Sequence, residues 1–83
     1  MSSPSRTWFK CRRGTRELDL LLQGFYRRRY GTLTATEQGI FERLLDCPDP
    51  DLAAWLYGMA EPDDETFGDL VRQIRDDGPL QGA

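Results

Sequence analysis

Apolar residues recur along this chain at helical spacing, in stripes that last only two or three turns. The clearest stripe places Leu18, Leu21, Leu22 and Phe25 at i, i+3, i+4 and i+7, which is one face of an α-helix. No stretch alternates apolar and polar residues with the period of a strand. The pattern predicts an all-α fold, a bundle of about five short helices with brief connections.

Capping and turn residues divide the chain between these stripes. Ser3-Pro4 predicts the start of a first helix that runs to Arg12, with Trp8 and Cys11 on one face. Gly14 permits a sharp reversal before the second helix. The predicted second and third helices are about Thr15 to Arg29 and a helix that opens with a capping box of Thr34 and Glu37.

Two further proline-marked starts complete the bundle. Asp49-Pro50 predicts the start of a fourth helix and Pro62-Asp63-Asp64 that of a fifth, which Gly78-Pro79 would end. We expect the tail after about residue 76 to be loose, and we treat 1–83 as one domain. The apolar faces of the last three helices are Ile40, Phe41, Leu44 and Leu45; Leu52, Trp55, Leu56 and Met59; and Phe67, Leu70, Val71 and Ile74.

Composition favours a binding protein over an enzyme. The chain of 83 residues has no histidine, which removes the usual general base, the Ser–His and Cys–His nucleophile pairs and the commonest metal ligand. Its two cysteines, Cys11 and Cys47, cannot supply a four-ligand zinc site. We therefore expect no catalytic residues, no metal and no tightly bound cofactor.

The residues 1–10 lack the apolar core of a secretory signal, and no run of about 18 apolar residues could span a membrane. With two separated cysteines, this pattern is typical of a cytoplasmic protein with free thiols. Charge is divided unevenly: residues 1–30 carry a balance of +6 and residues 31–83 a balance of −9. The division predicts one basic and one acidic zone on the surface.

The turn between the first two helices carries the most unusual charge pattern. Gly14 makes the reversal and leaves the backbone open to another chain, while Glu17 occupies the first turn of a helix, where a carboxylate is favoured. Arg12, Arg13 and Arg16 crowd around that carboxylate, and their forked guanidinium groups suit recognition of carboxylates. One interpretation is simple capping. The other is a rigid, charged recognition corner.

A second basic cluster, Arg27 to Arg29, is interleaved with aromatic residues. Such clusters can bind nucleic acid, so one alternative is a small regulatory protein that binds nucleic acid or a toxin partner through this helix end. A solvated helix end with inward-pointing aromatics explains the same pattern. A third alternative is a small enzyme with Cys11 as its nucleophile, activated by the neighbouring arginines.

The residues from Trp8 to Asp19 read WFKCRRGTRELD and contain an Arg-Gly-x-x-Glu motif at Arg13, Gly14 and Glu17. Together with the downstream block Asp49-Pro50-Asp51-Leu52 and Trp55-Leu56, this stretch resembles the SdhE family of flavinylation factors. The resemblance extends from about Trp8 to Arg75.

The resemblance implies a five-helix bundle that binds the flavoprotein subunit of succinate dehydrogenase, and in many members that of fumarate reductase. It implies that the chain promotes covalent FAD attachment, in which a histidine of the partner bonds to the 8α-methyl carbon of the flavin. No nucleic acid or membrane partner is implied, and we expect a monomer or a weak homodimer. The predicted partner-binding residues are Trp8, Arg12, Arg13, Gly14, Arg16, Glu17 and Asp19.

Overall fold

Five α-helices form within residues 4–77, the part of the chain that this computed structural model describes, and that part contains no strand. The prediction of an all-α fold with about five helices is confirmed. The predicted Ser3 cap, the Gly78-Pro79 helix end and the tail beyond them lie outside the described residues. The helices are α1 (Pro4–Lys10), α2 (Arg16–Arg29), α3 (Ala35–Leu45), α4 (Asp49–Leu56) and α5 (Glu65–Asp77).

The helix starts follow from local capping. In front of α3, the Thr34 hydroxyl accepts the Glu37 N–H at 3.1 Å, and the Glu37 carboxylate accepts the Thr34 N–H at 2.9 Å. This is the predicted capping box. In front of α5, the Asp64 carboxylate accepts the backbone N–H of Thr66 at 2.9 Å. Each bond satisfies a helix N–H group that has no partner within the helix itself.

The helices bury their apolar stripes in a common core. Helix α5 packs against α2, α3 and α4, and α2 also contacts α4. Burying each of these large side chains contributes about 1.5–3 kcal/mol to the free energy of unfolding. Trp55, Phe67 and Ile40 pack against the core and stay partly exposed. The buried apolar side chains are Cys11, Leu18, Leu21, Leu22, Phe25, Leu33, Phe41, Leu44, Leu45, Leu52, Leu56, Leu70, Val71 and Ile74.

Helix α4 differs from the prediction at both ends. Pro48 is its N-cap residue and makes no side-chain cap bond, so Asp49 is not a cap but the first helical residue. At the other end, Met59 was predicted to lie on the buried stripe and is instead 72% exposed. The helix stops at Leu56 because Gly58, with a φ of +79°, turns the chain away. The resulting Schellman-type bonds run from the Gly58 N–H to Trp55 and from the Met59 N–H to Ala54.

Helix α1 ends at Lys10, two residues earlier than predicted. The N–H groups of Cys11 and Arg12 bond three residues back, to the carbonyls of Trp8 and Phe9, at 3.0 and 3.1 Å. These bonds tighten the end of α1 before the chain turns. Among residues 4–77, no helix has both the length and the apolar content that crossing a membrane requires.

Replacing Thr34 with alanine should lower the free energy of unfolding by about 1 kcal/mol, because the α3 capping box loses its hydroxyl acceptor. Thr36→Ala is the matched control, since Thr36 is an exposed threonine in the first turn of the same helix. Urea unfolding followed by circular dichroism measures both variants. Equal losses from the two substitutions would contradict the capping role of Thr34.

The Cys11 thiol should react with thiol reagents only when the protein opens. Burial raises the pKa of Cys11 to about 12, against the lowering effect of Arg13, so at pH 8 the thiol is protonated as well as fully buried. In a Cys47→Ser variant, we expect Cys11 to be labelled at the rate of unfolding. Labelling of the folded protein as fast as of a short peptide would contradict this prediction.

The same raised pKa sets a direction for stability against pH. The folded state keeps the Cys11 proton to higher pH than the unfolded state does, so the stabilisation is complete below the ordinary thiol pKa of 9.0. It should be lost as the pH rises from about 9 toward 12. A Cys11→Ala variant should show a shallower loss of stability than the parent over that interval.

Candidate functional site

The candidate site is the turn between α1 and α2, residues 12–17, which we call the corner. Gly14 has a φ of +88°, a conformation that disfavours any residue with a side chain. The Asp19 carboxylate reaches back across the turn and accepts the Arg13 N–H at 2.6 Å. The turn therefore enters α2 in a defined conformation even though Thr15, its N-cap residue, makes no side-chain cap bond.

Arg13 connects the corner to the turn between α3 and α4. Its Nε donates to the Asp49 carboxylate at 2.7 Å, and its Nη1 donates to the carbonyl oxygens of Lys10 and Leu45 at 2.9 and 2.8 Å. Its Nη2 donates to the carbonyl oxygen of Cys47 at 3.0 Å. These four bonds use four of the five N–H donors of a guanidinium group. The Arg13 side chain is only 16% exposed.

Of the three arginines expected to crowd around the Glu17 carboxylate, Arg13 forms its ion pair with Asp49 instead. The Arg13 guanidinium is turned inward, because Asp49 and three carbonyl oxygens together offer it more acceptors than one surface carboxylate does. Asp19, the next carboxylate along the chain after Glu17, accepts from the backbone N–H of Arg13. Within residues 4–77, Glu17 forms no ion pair.

The outward face of the corner is made by the remaining motif residues. Arg12, Gly14, Arg16 and Glu17 are all exposed. A Cβ atom on Gly14 would meet nothing within 4 Å, so the space above the turn is open. Burial, and to a lesser extent the charge of Glu17, raises the pKa of the Tyr57 phenol just beyond the end of α4. The corner thus presents a bare backbone between charged side chains that another protein can reach.

Trp8 belongs to α1 and is partly buried. Its ring lies 5.8 Å from that of Tyr26, and the Arg27 guanidinium stands 5.3 Å above it. This packing joins α1 to the exposed side of α2. A role for Trp8 in binding a partner stays a prediction.

The basic cluster at the end of α2 is largely engaged in contacts within the protein. Arg28 donates to the Asp77 carboxylate at 2.8 and 3.0 Å, and Arg29 lies 5.7 Å from the centre of the Phe25 ring. Tyr26 and Tyr30 pack against the core. The interpretation as a helix end with inward-pointing aromatics therefore accounts for this cluster.

The contacts also change the interpretation of the uneven charge. Lys10 pairs with Asp46 at 3.0 Å, as Arg13 does with Asp49 and Arg28 with Asp77. Three cations of the basic first part of the chain are thus neutralised by carboxylates of the acidic second part. At these residues the two charge zones predicted from sequence meet each other.

Neither thiol is poised for nucleophilic chemistry. Burial raises the pKa of both Cys11 and Cys47, and for Cys11 it outweighs the opposite effect of Arg13. The neighbouring arginine therefore does not produce the thiolate that the Cys11 alternative requires.

Sequence reasoning overlooked the part that Asp49 plays at this site. We interpreted Asp49 only as a helix start, whereas its carboxylate is the charged partner of Arg13. Arg13 and Asp49 stand 36 positions apart, and no local pattern connects residues at that distance. The one available signal was that both residues belong to the two motif blocks on which the family resemblance rests.

Known proteins similar to this chain share nearly its full length. A protein of Coxiella burnetii (strain RSA 493 / Nine Mile phase I) named FAD assembly factor SdhE is 44% identical over 75 residues, which cover 90% of each chain. A protein of the same name from Yersinia pseudotuberculosis serotype I is 37% identical over 82 residues, 99% of this chain and 93% of that protein. Another, from Photorhabdus laumondii subsp. laumondii, is 35% identical over 85 residues, 98% and 97% of the two chains.

A family model described as flavinator of succinate dehydrogenase matches residues 5–77, which include α2 to α5, all of α1 but its first residue, and the whole corner. The match covers both motif blocks, the one around Gly14 and the one that begins at Asp49. The chain therefore belongs to the family of succinate dehydrogenase flavinators, the SdhE-type FAD assembly factors.

Proposed function

We propose that this protein binds the flavoprotein subunit of succinate dehydrogenase through its corner and promotes covalent FAD attachment there. Family membership supports the function. The observation that supports the docking site is the exposed, side-chain-free backbone at Gly14, flanked by Arg12, Arg16 and Glu17. Fumarate reductase is a second client by the same reasoning from the family, and the cytoplasm is the compartment in which we propose that docking takes place.

The chemistry of attachment belongs to the partner in this proposal. The chain has no histidine, so the imidazole that bonds to the flavin methyl carbon comes from the flavoprotein, as does the FAD. Holding the imidazole and the flavin in near-attack geometry can lower the activation free energy of attachment by several kcal/mol. The protein acts as an assembly factor that shifts the flavoprotein toward this arrangement. The shift is only as large as its preference for binding this arrangement over the other conformations of the flavoprotein. It needs neither catalytic groups nor a cofactor of its own.

The corner suits such docking because it is rigid and open at once. Asp19 and Arg13 hold the turn from inside, so little conformational entropy is lost when a partner binds. Gly14 lets the partner's backbone approach closely. Glu17 offers a carboxylate to a donor of the partner, and Arg12 and Arg16 offer forked cations on either side.

Replacing Glu17 with alanine should slow covalent flavinylation of the partner about tenfold or more, because a hydrogen bond to a charged group contributes about 1.5–3 kcal/mol. In-gel flavin fluorescence of the flavoprotein subunit measures the product. Glu65→Ala is the matched control, since Glu65 is also an exposed glutamate in a first helical turn. Undiminished flavinylation by a folded Glu17→Ala variant would disprove the recognition role of Glu17.

Replacing Gly14 with arginine should abolish complex formation. The long side chain would fill the approach to the backbone, while the positive φ adds about 1–2 kcal/mol of strain. The helical circular dichroism should stay largely unchanged. Gly39→Arg is the control, because Gly39 is exposed on α3 and a Cβ there also meets nothing within 4 Å.

Comparison with Gly14→Ala separates obstruction from strain. Alanine incurs the same backbone strain without filling the approach, so it should lower stability like arginine and bind the partner much better. Equal loss of binding in both variants would contradict close approach at Gly14 and leave strain as the cause. Size-exclusion chromatography with the purified flavoprotein subunit measures complex formation.

A further inference from the structure

The contacts of Arg13 raise the question of what a motif arginine does when it faces inward. Four of its five N–H donors are used within the protein, so at most one remains for a partner. A residue that recognised the flavoprotein through a forked guanidinium would need two free donors. Arg13 therefore cannot be a bidentate partner contact in this conformation.

The acceptors of Arg13 come from two segments that lie far apart in the sequence. The Lys10 and Leu45 carbonyls end α1 and α3, the Cys47 carbonyl lies in the turn that follows α3, and the Asp49 carboxylate begins α4. The guanidinium consequently joins the corner to the α3–α4 connection at three points, Leu45, Cys47 and Asp49, and to the end of α1 at a fourth. Asp49 is the single charged acceptor of the four and receives the shortest of these bonds, 2.7 Å.

A nearby ion pair provides an internal comparison. Asp46, three residues before Asp49, accepts from Lys10 at 3.0 Å, and its side chain is 64% exposed. That pair joins the end of α1 to the turn after α3 and includes no residue of the corner. Exposed pairs of this kind contribute about 0–1 kcal/mol. The two aspartates thus lie close in sequence, in one turn, with different neighbours.

We propose that Asp49 is a positioning residue for docking: through Arg13 it holds the corner in the conformation that the flavoprotein recognises. This inference rests on the proposed function, since it concerns the same docking site. Arg13 and Asp49 then act as one unit. The motif block that begins at Asp49 thereby stabilises the conformation of the block around Gly14. Gly14 and Glu17 make the contact, and Asp49 touches no part of the partner.

Neutral substitutions at the two aspartates test this proposal. Asp49→Asn and Asp46→Asn remove the same charge from the same turn, but only the former disturbs Arg13. We expect Asp49→Asn to weaken binding of the purified flavoprotein subunit about fivefold or more, because Asn keeps an acceptor oxygen but lacks the charge that makes such a bond about twice as strong. Asp46→Asn should change the affinity less than about twofold.

The second variant is Arg13→Lys, which keeps the charge but replaces a planar fork with a point donor. Arg13→Lys should weaken binding of the flavoprotein subunit as Asp49→Asn does. The variant with both substitutions should have an affinity no lower than that of whichever single variant binds more weakly. Residues that act as one unit give such non-additive losses. By contrast, Glu17→Ala and Asp49→Asn should give losses that add, because Glu17 contacts the partner directly.

Hydrogen exchange of the free protein provides a readout that needs no partner. The amide of residue 13, which donates to the Asp19 carboxylate in the parent, should exchange faster in Asp49→Asn and in Arg13→Lys, and at the parent rate in Asp46→Asn and Glu17→Ala. Thr34→Ala serves as a control for general loss of stability, since it weakens the fold far from the corner.

Two results would overturn the inference. Parent-like affinity in Asp49→Asn together with weak binding in Arg13→Lys would make Arg13 a direct partner contact, and unchanged exchange in both variants would show that neither residue holds the corner. Failure of the proposed function is a different outcome: the parent protein would then not bind the flavoprotein at all, while faster exchange in both variants would still support the positioning of the corner by Asp49.

Discussion

The guanidinium of Arg13 is the interaction on which the arrangement of the site depends. Its bonds to Asp49 and to the carbonyls of Lys10, Leu45 and Cys47 tie together the end of α1, the end of α3 and the start of α4. Removing one partner of such a partly buried pair leaves the other poorly solvated, which is why both sides are needed. The exposed corner is thus an extension of the packed interior and not an independent loop.

This arrangement gives a small protein a rigid surface at the proposed docking site, and it needs only a few residues to do so. A chain of 83 residues has a thin core, and it cannot stabilise a long loop by packing alone. A left-handed glycine, one carboxylate that bonds back to the turn and one partly buried arginine achieve the same result within residues 13–19. The outward side chains of Arg12, Arg16 and Glu17 remain available, which agrees with an assembly factor that recognises a partner's fold.

Much of the fold could be predicted because its determinants are local. The stripe from Leu18 to Phe25 and the capping box at Thr34 each lie within one helix, and both are present in the structure. Met59 was placed wrongly because the same spacing continues past Gly58, whose positive φ ends α4. Nothing in the period of the apolar residues distinguishes a helix that continues from one that a Schellman turn ends.

By itself the sequence determined the helices, the reversal at Gly14 and the family, since each depends on residues close together or on motifs in order. Only the tertiary structure decided which way Arg13 points. Two carboxylates could have accepted its N–H groups. Glu17 is near in sequence and lies on the surface, whereas Asp49 is distant in sequence and lies beside the carbonyl oxygens of Lys10, Leu45 and Cys47. Those acceptors come together only when α1, α3 and α4 have packed. A partly buried guanidinium group then takes the position in which most of its N–H donors find an acceptor.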